Sequence, residues 1–201
     1  MKIALFGASG MVGSRLTKEA AERGLEVTAI TRSGDKVPGA AQSLKGDMGD
    51  ADFDRQIVAD HDVIVSTTGP SRTGGSHDEW LKAVETLAKA SGDKRVFFVG
   101  GAGSLLVGDT QLKDTEGFPA AYKAESDTAS IALDNLRAGN WSPWTLISPA
   151  PEIAPGERTG KYSTERDVPA GDSVSAEDFV VAMVDEIVDP QHIDARFTVA
   201  N

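Results

Sequence analysis

The run Ile3-Ala4-Leu5-Phe6-Gly7-Ala8-Ser9-Gly10-Met11-Val12-Gly13 constrains this chain more than any other segment. A short apolar strand pattern ends in glycines spaced G-x-x-G-x-x-G. An amphipathic pattern follows at once, with Val12, Leu16 and Ala20 on one helical face. So sharp a turn off a strand calls for Gly7, because only glycine enters such turns without steric cost. Gly10 removes a Cβ where a pyrophosphate would meet the backbone, and Gly13 lets the helix pack close to the sheet. The unpaired N–H groups and positive end of that helix form a phosphate site. Gly7, Ala8, Ser9, Gly10, Met11 and Val12 are therefore candidate dinucleotide contacts. A tight turn between any two elements can show the same spacing, and its weight comes from what surrounds it.

What surrounds it is an alternation of apolar runs and helical patterns, the mark of βαβ units. Strands are predicted over residues 2–6, 26–31, 43–45, 63–66, 95–99 and 144–147. Helices are predicted over 11–23, closed by Gly24, then from a Ser76/Glu79 capping box to about residue 90, and over 120–137. Ser175 with Asp178 caps a last helix to about residue 188, and 196–199 reads as an edge strand. The expected fold is α/β: a Rossmann-type, doubly wound, mostly parallel sheet with helices on both faces, in one domain over 1–201. Residues 149–173, rich in Pro, Gly and charge, read as a loop-built flap on the substrate side.

Composition narrows the partners. A net charge of -11 without any basic stretch repels phosphate backbones, so nucleic acid is not expected. No apolar run approaches the roughly 20 residues that span a bilayer, and the start has no signal-peptide pattern. With no cysteine either, a cytoplasmic protein is expected, away from membranes and without thiolate chemistry. A homodimer stays open.

The end of the second strand distinguishes the two nicotinamide cofactors. An acid there holds a ribose 2′-hydroxyl and repels a 2′-phosphate. Here the chain reads Thr31-Arg32-Ser33, where Arg32 can fork onto phosphate, Ser33 can donate and Lys36 adds charge, so NADP (NADPH) is favoured over NAD. Arg32 also reads as a solvated loop arginine, and Asp35 pulls the other way. Asp47 can accept from an adenine amino group while Met48 covers the ring, or it can cap the helix that follows. Thr67, Thr68 and Gly69 end the fourth strand, where small residues let a ribose lie on the backbone.

These residues, with Val99-Gly100-Gly101-Ala102-Gly103-Ser104, Trp144-Thr145-Leu146-Ile147-Ser148-Pro149 and Pro155–Tyr162, resemble an atypical short-chain dehydrogenase/reductase. The similarity is to the compact NAD(P)H-binding group that includes NmrA, biliverdin reductase B and NADH-flavin reductases. It implies that Gly101, Ala102 and Pro149 lie near the nicotinamide, with residues 150–165 closing over it. Ser104 fits the family's serine, and Tyr122 is the candidate tyrosine. Four residues on stands Ser126, so the Y-x-x-x-K pair is missing. Lys123 lies about 100° round the helix from Tyr122 and cannot be assumed to tune it, although it can serve the nicotinamide ribose. A half-buried ring and a solvated amine describe this pair equally well.

Reduction of a ketone needs a poised acid, whereas a flavin or quinone can take hydride with solvent supplying the proton. A nicotinamide-dependent reductase of a planar acceptor, with flavin as a candidate substrate, is therefore expected. A cofactor sensor like NmrA and a sugar-nucleotide epimerase are the rivals, the latter disfavoured by the missing pair. His61, His77 and His192 lack ligand spacing, so no metal is expected. Trp80, Trp141 and Trp144 read as packing residues, Ser9 and Ser148 lack a nucleophile elbow, and Glu165 with Asp167 reads as a solvated pair.

Overall fold

A computed structural model describes residues 1–141 and 143–201. In chain order its first half holds β1 (Lys2–Phe6), α1 (Met11–Glu22), β2 (Glu26–Thr31), β3 (Gln42–Lys45), α2 (Ala51–Asp60), β4 (Val63–Ser66) and α3 (His77–Ser91). There follow β5 (Arg95–Val99), β6 (Leu106–Val107), β7 (Thr110–Gln111), α4 (Lys123–Ala138), β8 (Trp144–Pro149) and β9 (Glu152–Ala154). The chain ends with β10 (Ser163–Glu165), β11 (Ser173–Ser175), α5 (Ala176–Val188) and β12 (Ala195–Ala200).

Strands such as Val63–Ser66 are buried at every position, which only a sheet covered on both faces allows. Eight strands form that sheet in the order β10-β12-β8-β5-β4-β1-β2-β3. Every pair is parallel except β10 with β12. α1 and α5 cover one face through Leu16, Phe179 and Met183 against Leu5 and Val65. α2, α3 and α4 cover the other through Ile57, Leu87 and Leu133 against Phe6 and Phe98. Strand order reverses between β1 and β4, and the crevice beyond their carboxyl ends is where such sheets take ligands. No described helix is long and apolar enough to cross a membrane.

The structure corrects several details. Residues 196–199 are not at the edge: β12 lies between β8 and β10. Its polar residues Arg196 and Thr198, which gave it a solvated look, are buried. The segment over 149–173 is not built of loop alone, since it contains β9 and β10 and leads into β11, which pairs with β9. The helix expected over 120–137 opens with a 3-10 turn and becomes α-helical at Lys123. Asp50, not Asp47, caps α2, accepting from the N–H groups of Asp52 and Phe53. Asp167 is partly exposed but not merely solvated, for Arg196 and Arg137 both pair with it. Burial opposes its charge, but these guanidinium groups hold its pKa below the usual range.

One buried carboxylate anchors the flap. Asp178 on α5 accepts from Thr159 N–H (2.9 Å), Thr159 Oγ1 (2.6 Å), Gly160 N–H (2.8 Å) and Asn201 Nδ2 (2.6 Å). Burial alone would raise its pKa, yet these donors outweigh it and lower it. Arg158 adds a two-pronged pair to Glu19 on α1, so residues 156–162 lie along α1 and α5. Asp178→Ala removes at once the acceptor shared by all four donors. We expect it to cost about 2 kcal/mol and to speed proteolysis within 156–162. Unchanged denaturation and proteolysis would show that the flap is held elsewhere.

Candidate functional site

The glycine loop is built as much by what presses on it as by what it leaves open. Gly7 has φ +77, and a Cβ there would stand 2.9 Å from Thr67 Oγ1. Thr67 in turn donates to the carbonyls of Phe6 (3.0 Å) and Gly7 (3.1 Å), tying β4 to the loop. A Cβ at Gly13 would lie 2.2 Å from the Gly7 carbonyl oxygen, so this glycine admits the loop rather than the sheet. Three other glycines are less hemmed in. A Cβ at Gly10 would meet only Gly7 O at 3.3 Å, one at Gly69 nothing within 4 Å, and one at Gly101 only Ala129 Cβ at 4.0 Å. They follow β1, β4 and β5, at the carboxyl ends of adjacent strands.

The helix behind this opening is bare at its positive end. α2, α3 and α5 each begin with a side chain accepting from the first turn. α1 begins at Gly10 with no side-chain cap and no acid in its first turn. Its first N–H groups have no intrahelical acceptor. An elongated cradle of main-chain donors with no side-chain cap suits a dinucleotide pyrophosphate.

On the side of β2, Arg32 is exposed and has no ion-pair partner among the described residues. Ser33 Oγ lies 3.5 Å from Thr31 Oγ1 and 3.4 Å from the Asp35 N–H. Asp47 is exposed and, with Asp50 capping α2, free of that role. Met48 is buried, and its sulfur accepts from Thr68 Oγ1 at 3.8 Å. Beneath this turn lies Asp54, which sequence reasoning did not single out. It is fully buried, its Oδ2 accepts from the Gly49 N–H at 3.0 Å, and its Oδ1 has no partner. Burial drives its pKa up to about 6, opposed by Gly49 and assisted by Asp50 and Asp47.

On the other side, Ser148 Oγ donates to the Gly101 carbonyl (3.0 Å), holding β8 to the loop of Gly101 and Ala102, and Pro149 ends β8 beside Val199. The catalytic candidates each have their own surroundings. Ser104 Oγ accepts from Arg196 Nη1 at 2.7 Å, in the network with Asp167. Lys123 Nζ bridges Asp114 (2.7 Å) and Asp127 (3.0 Å), with Lys113 completing the cluster. Asp114 first, then Asp127, raises the Lys123 pKa. Tyr122 is 54% exposed and hydrogen-bonds through its backbone alone. Arg196, Lys113 and Asp114 carry no local signal, since their partners are recruited by tertiary contact.

The histidines lie apart. His61 bridges Ile57 O and Thr28 Oγ1, His77 bridges Ser71 O and Thr128 Oγ1, and His192 pairs with Glu186 while stacking on Phe197. Trp144 is buried, and Trp80 and Trp141 pack against its cluster.

A doubly wound sheet with an uncapped glycine-loop helix at its switch point defines an NAD(P)-binding protein of Rossmann type. Residues 7–190 match the NAD(P)H-binding family, and the chain belongs to it. The uncharacterized protein YwnB of Bacillus subtilis is 36% identical over 212 residues, covering 100% of this chain and 99% of YwnB. A crystal structure from Burkholderia pseudomallei, provisionally described as an exported protein, superposes with TM-score 0.89 at 40% identity, covering 100% of both chains. SP1627 of Streptococcus pneumoniae, provisionally named an NADH-flavin reductase, gives TM-score 0.89 at 30% identity, with 100% of this chain and 99% of that one covered.

Proposed function

We propose that the protein is an NADPH-dependent reductase that passes hydride to a flavin, quinone or similar planar acceptor. The observation that carries this reading is that Ser104 is held by Arg196 and Lys123 by Asp114 and Asp127, while Tyr122 is exposed, beside an open cradle. Bound nicotinamide supplies the hydride; acceptors whose reduced ring takes its proton from water need no acid from the chain. The protein's task is then to hold two flat molecules together and exclude competing reactions. The provisional name of SP1627 agrees with this chemistry. Gly7–Val12 hold the pyrophosphate, Arg32 and Ser33 the 2′-phosphate, Asp47 and Met48 the adenine, and Thr67–Gly69 with Gly101, Ala102 and Pro149 the nicotinamide side. A cytoplasmic site of action, where NADPH is supplied, belongs to the same proposal.

The test is NADPH oxidation in the presence of free flavins and soluble quinones. Turnover is expected with at least one, with Tyr122→Phe changing kcat less than about twofold because no acid is required. Arg32→Ala is expected to weaken NADPH binding about tenfold and leave NADH unchanged. Tight NADPH binding without turnover on any acceptor would favour a cofactor sensor instead.

A further inference from the structure

The corner between β2 and β3 holds a residue that the reading of Arg32 and Ser33 leaves out. β2 and β3 pair in parallel with Thr31 opposite Lys45, so these two side chains share a face. The chain beyond Thr31 turns back over that face. Thr31 Oγ1 accepts the Gly34 N–H at 2.9 Å, and Gly34 takes φ +80. A Cβ at Gly34 would stand 2.9 Å from Lys45 Cβ. The turn Arg32-Ser33-Gly34 therefore lies directly on the stem of Lys45, although thirteen positions separate Arg32 from Lys45 along the chain. Only a glycine at 34 permits that approach.

The charge of this corner is at odds with the rest of the molecule. Residues 32–45 carry Arg32, Lys36 and Lys45 against the single acid Asp35, in a chain whose net charge is -11. All three cations are exposed and have no ion-pair partner among the described residues. Many basic side chains elsewhere pair with carboxylates, among them Arg15, Arg23, Lys123, Arg137 and Arg158. Those with no such partner among the described residues, such as Lys2, Lys82, Lys161 and Arg166, lie outside this turn. Unpaired like charges gathered by a folded turn repel one another, and a dianion between them removes that cost.

We infer that Lys45 is a specificity-determining residue, supplying with Arg32 the second cation of a subsite for the 2′-phosphate of the cofactor's adenosine. This rests on the NADPH reading above and deepens it. A 2′-hydroxyl offers such a cation nothing, so the contribution appears only with the phosphorylated nucleotide. The probes are 2′,5′-ADP and 5′-AMP, which differ by that one phosphate and lack the nicotinamide half. Lys45→Gln should weaken 2′,5′-ADP about tenfold by titration calorimetry at low salt, leave 5′-AMP unchanged, and be rescued by Lys45→Arg. Equal losses for both probes would make Lys45 a packing residue, and no loss would make it a solvated one; either result overturns the inference. Arg32→Ala run in parallel separates the two levels. If Arg32 discriminates the probes and Lys45 does not, this inference alone fails. If the wild-type protein binds both probes equally, the NADPH preference fails with it.

Discussion

Asp54→Asn is expected to stabilise the protein by about 3 kcal/mol at pH 8, with the gain shrinking through pH 6 and falling below about 1 kcal/mol at pH 4. The carboxyl is fully buried, with one oxygen on the Gly49 N–H and the other without a partner. Burial raises its pKa from 3.8 to about 6, helped by Asp50 and Asp47 and opposed by Gly49. Below the unfolded value both states hold the proton, so folding keeps its full stability there. As pH rises past 3.8 the unfolded chain releases the proton while the folded chain still holds it. Stability therefore falls until the folded group ionises near pH 6, and stays lower above that. Asparagine retains an acceptor for Gly49 and has no charge to bury. Urea denaturation of both proteins across pH 4–8 measures the difference directly. A gain that is independent of pH, or a loss at pH 8, would show that Asp54 finds compensation not seen in this structure.

How far the sequence could be read follows from how far apart the deciding residues lie. β1, the glycine loop and α1 are consecutive, so their turn chemistry and helical period stand in one window, and the structure places them as that window predicts. The same holds for the caps Ser76 and Ser175, each within a few residues of the helix it starts. α2 is harder to read because only Phe53, Ile57 and Val58 mark its apolar side, and Asp47 and Asp50 compete as its cap. The misjudged strand shows the limit best. In Ala195–Ala200 the alternation of polar and apolar residues suggests one wet face. In the fold that face is dry, because Asp167 and Ser104 take Arg196, and the Val168 carbonyl takes Thr198. Those partners lie 29, 92 and 30 residues away, beyond any local pattern. The partner of Ser104 is hidden for the same reason, since Arg196 lies 92 residues away, whereas Lys123 meets Asp127 only one helical turn on.

The phosphate site can be separated from the fold by one substitution that should move stability and binding in opposite directions. Gly10 is the N-cap of α1 at φ -73 and ψ 175, an ordinary extended conformation that any residue adopts. Aspartate is among the best N-caps, and its charge suits the positive helix end, so Gly10→Asp should raise stability by about 0.5 kcal/mol. Its Cβ would sit 3.3 Å from the Gly7 carbonyl oxygen, close enough to require only a small shift. The carboxylate would then occupy the same donors and the same potential that the pyrophosphate needs. NADPH affinity should fall by about a hundredfold or more, equivalent to about 2.7 kcal/mol. Gly13→Ala is the contrast. Its Cβ would stand 2.2 Å from the Gly7 carbonyl oxygen and 2.8 Å from Ala8 Cα, both backbone atoms, so stability and binding should fall together. Thermal unfolding and a fluorescence titration with NADPH read both quantities on each variant. If Gly10→Asp binds NADPH as tightly as the wild type, the phosphates do not rest on this helix, and the assignment of the glycine loop must be abandoned.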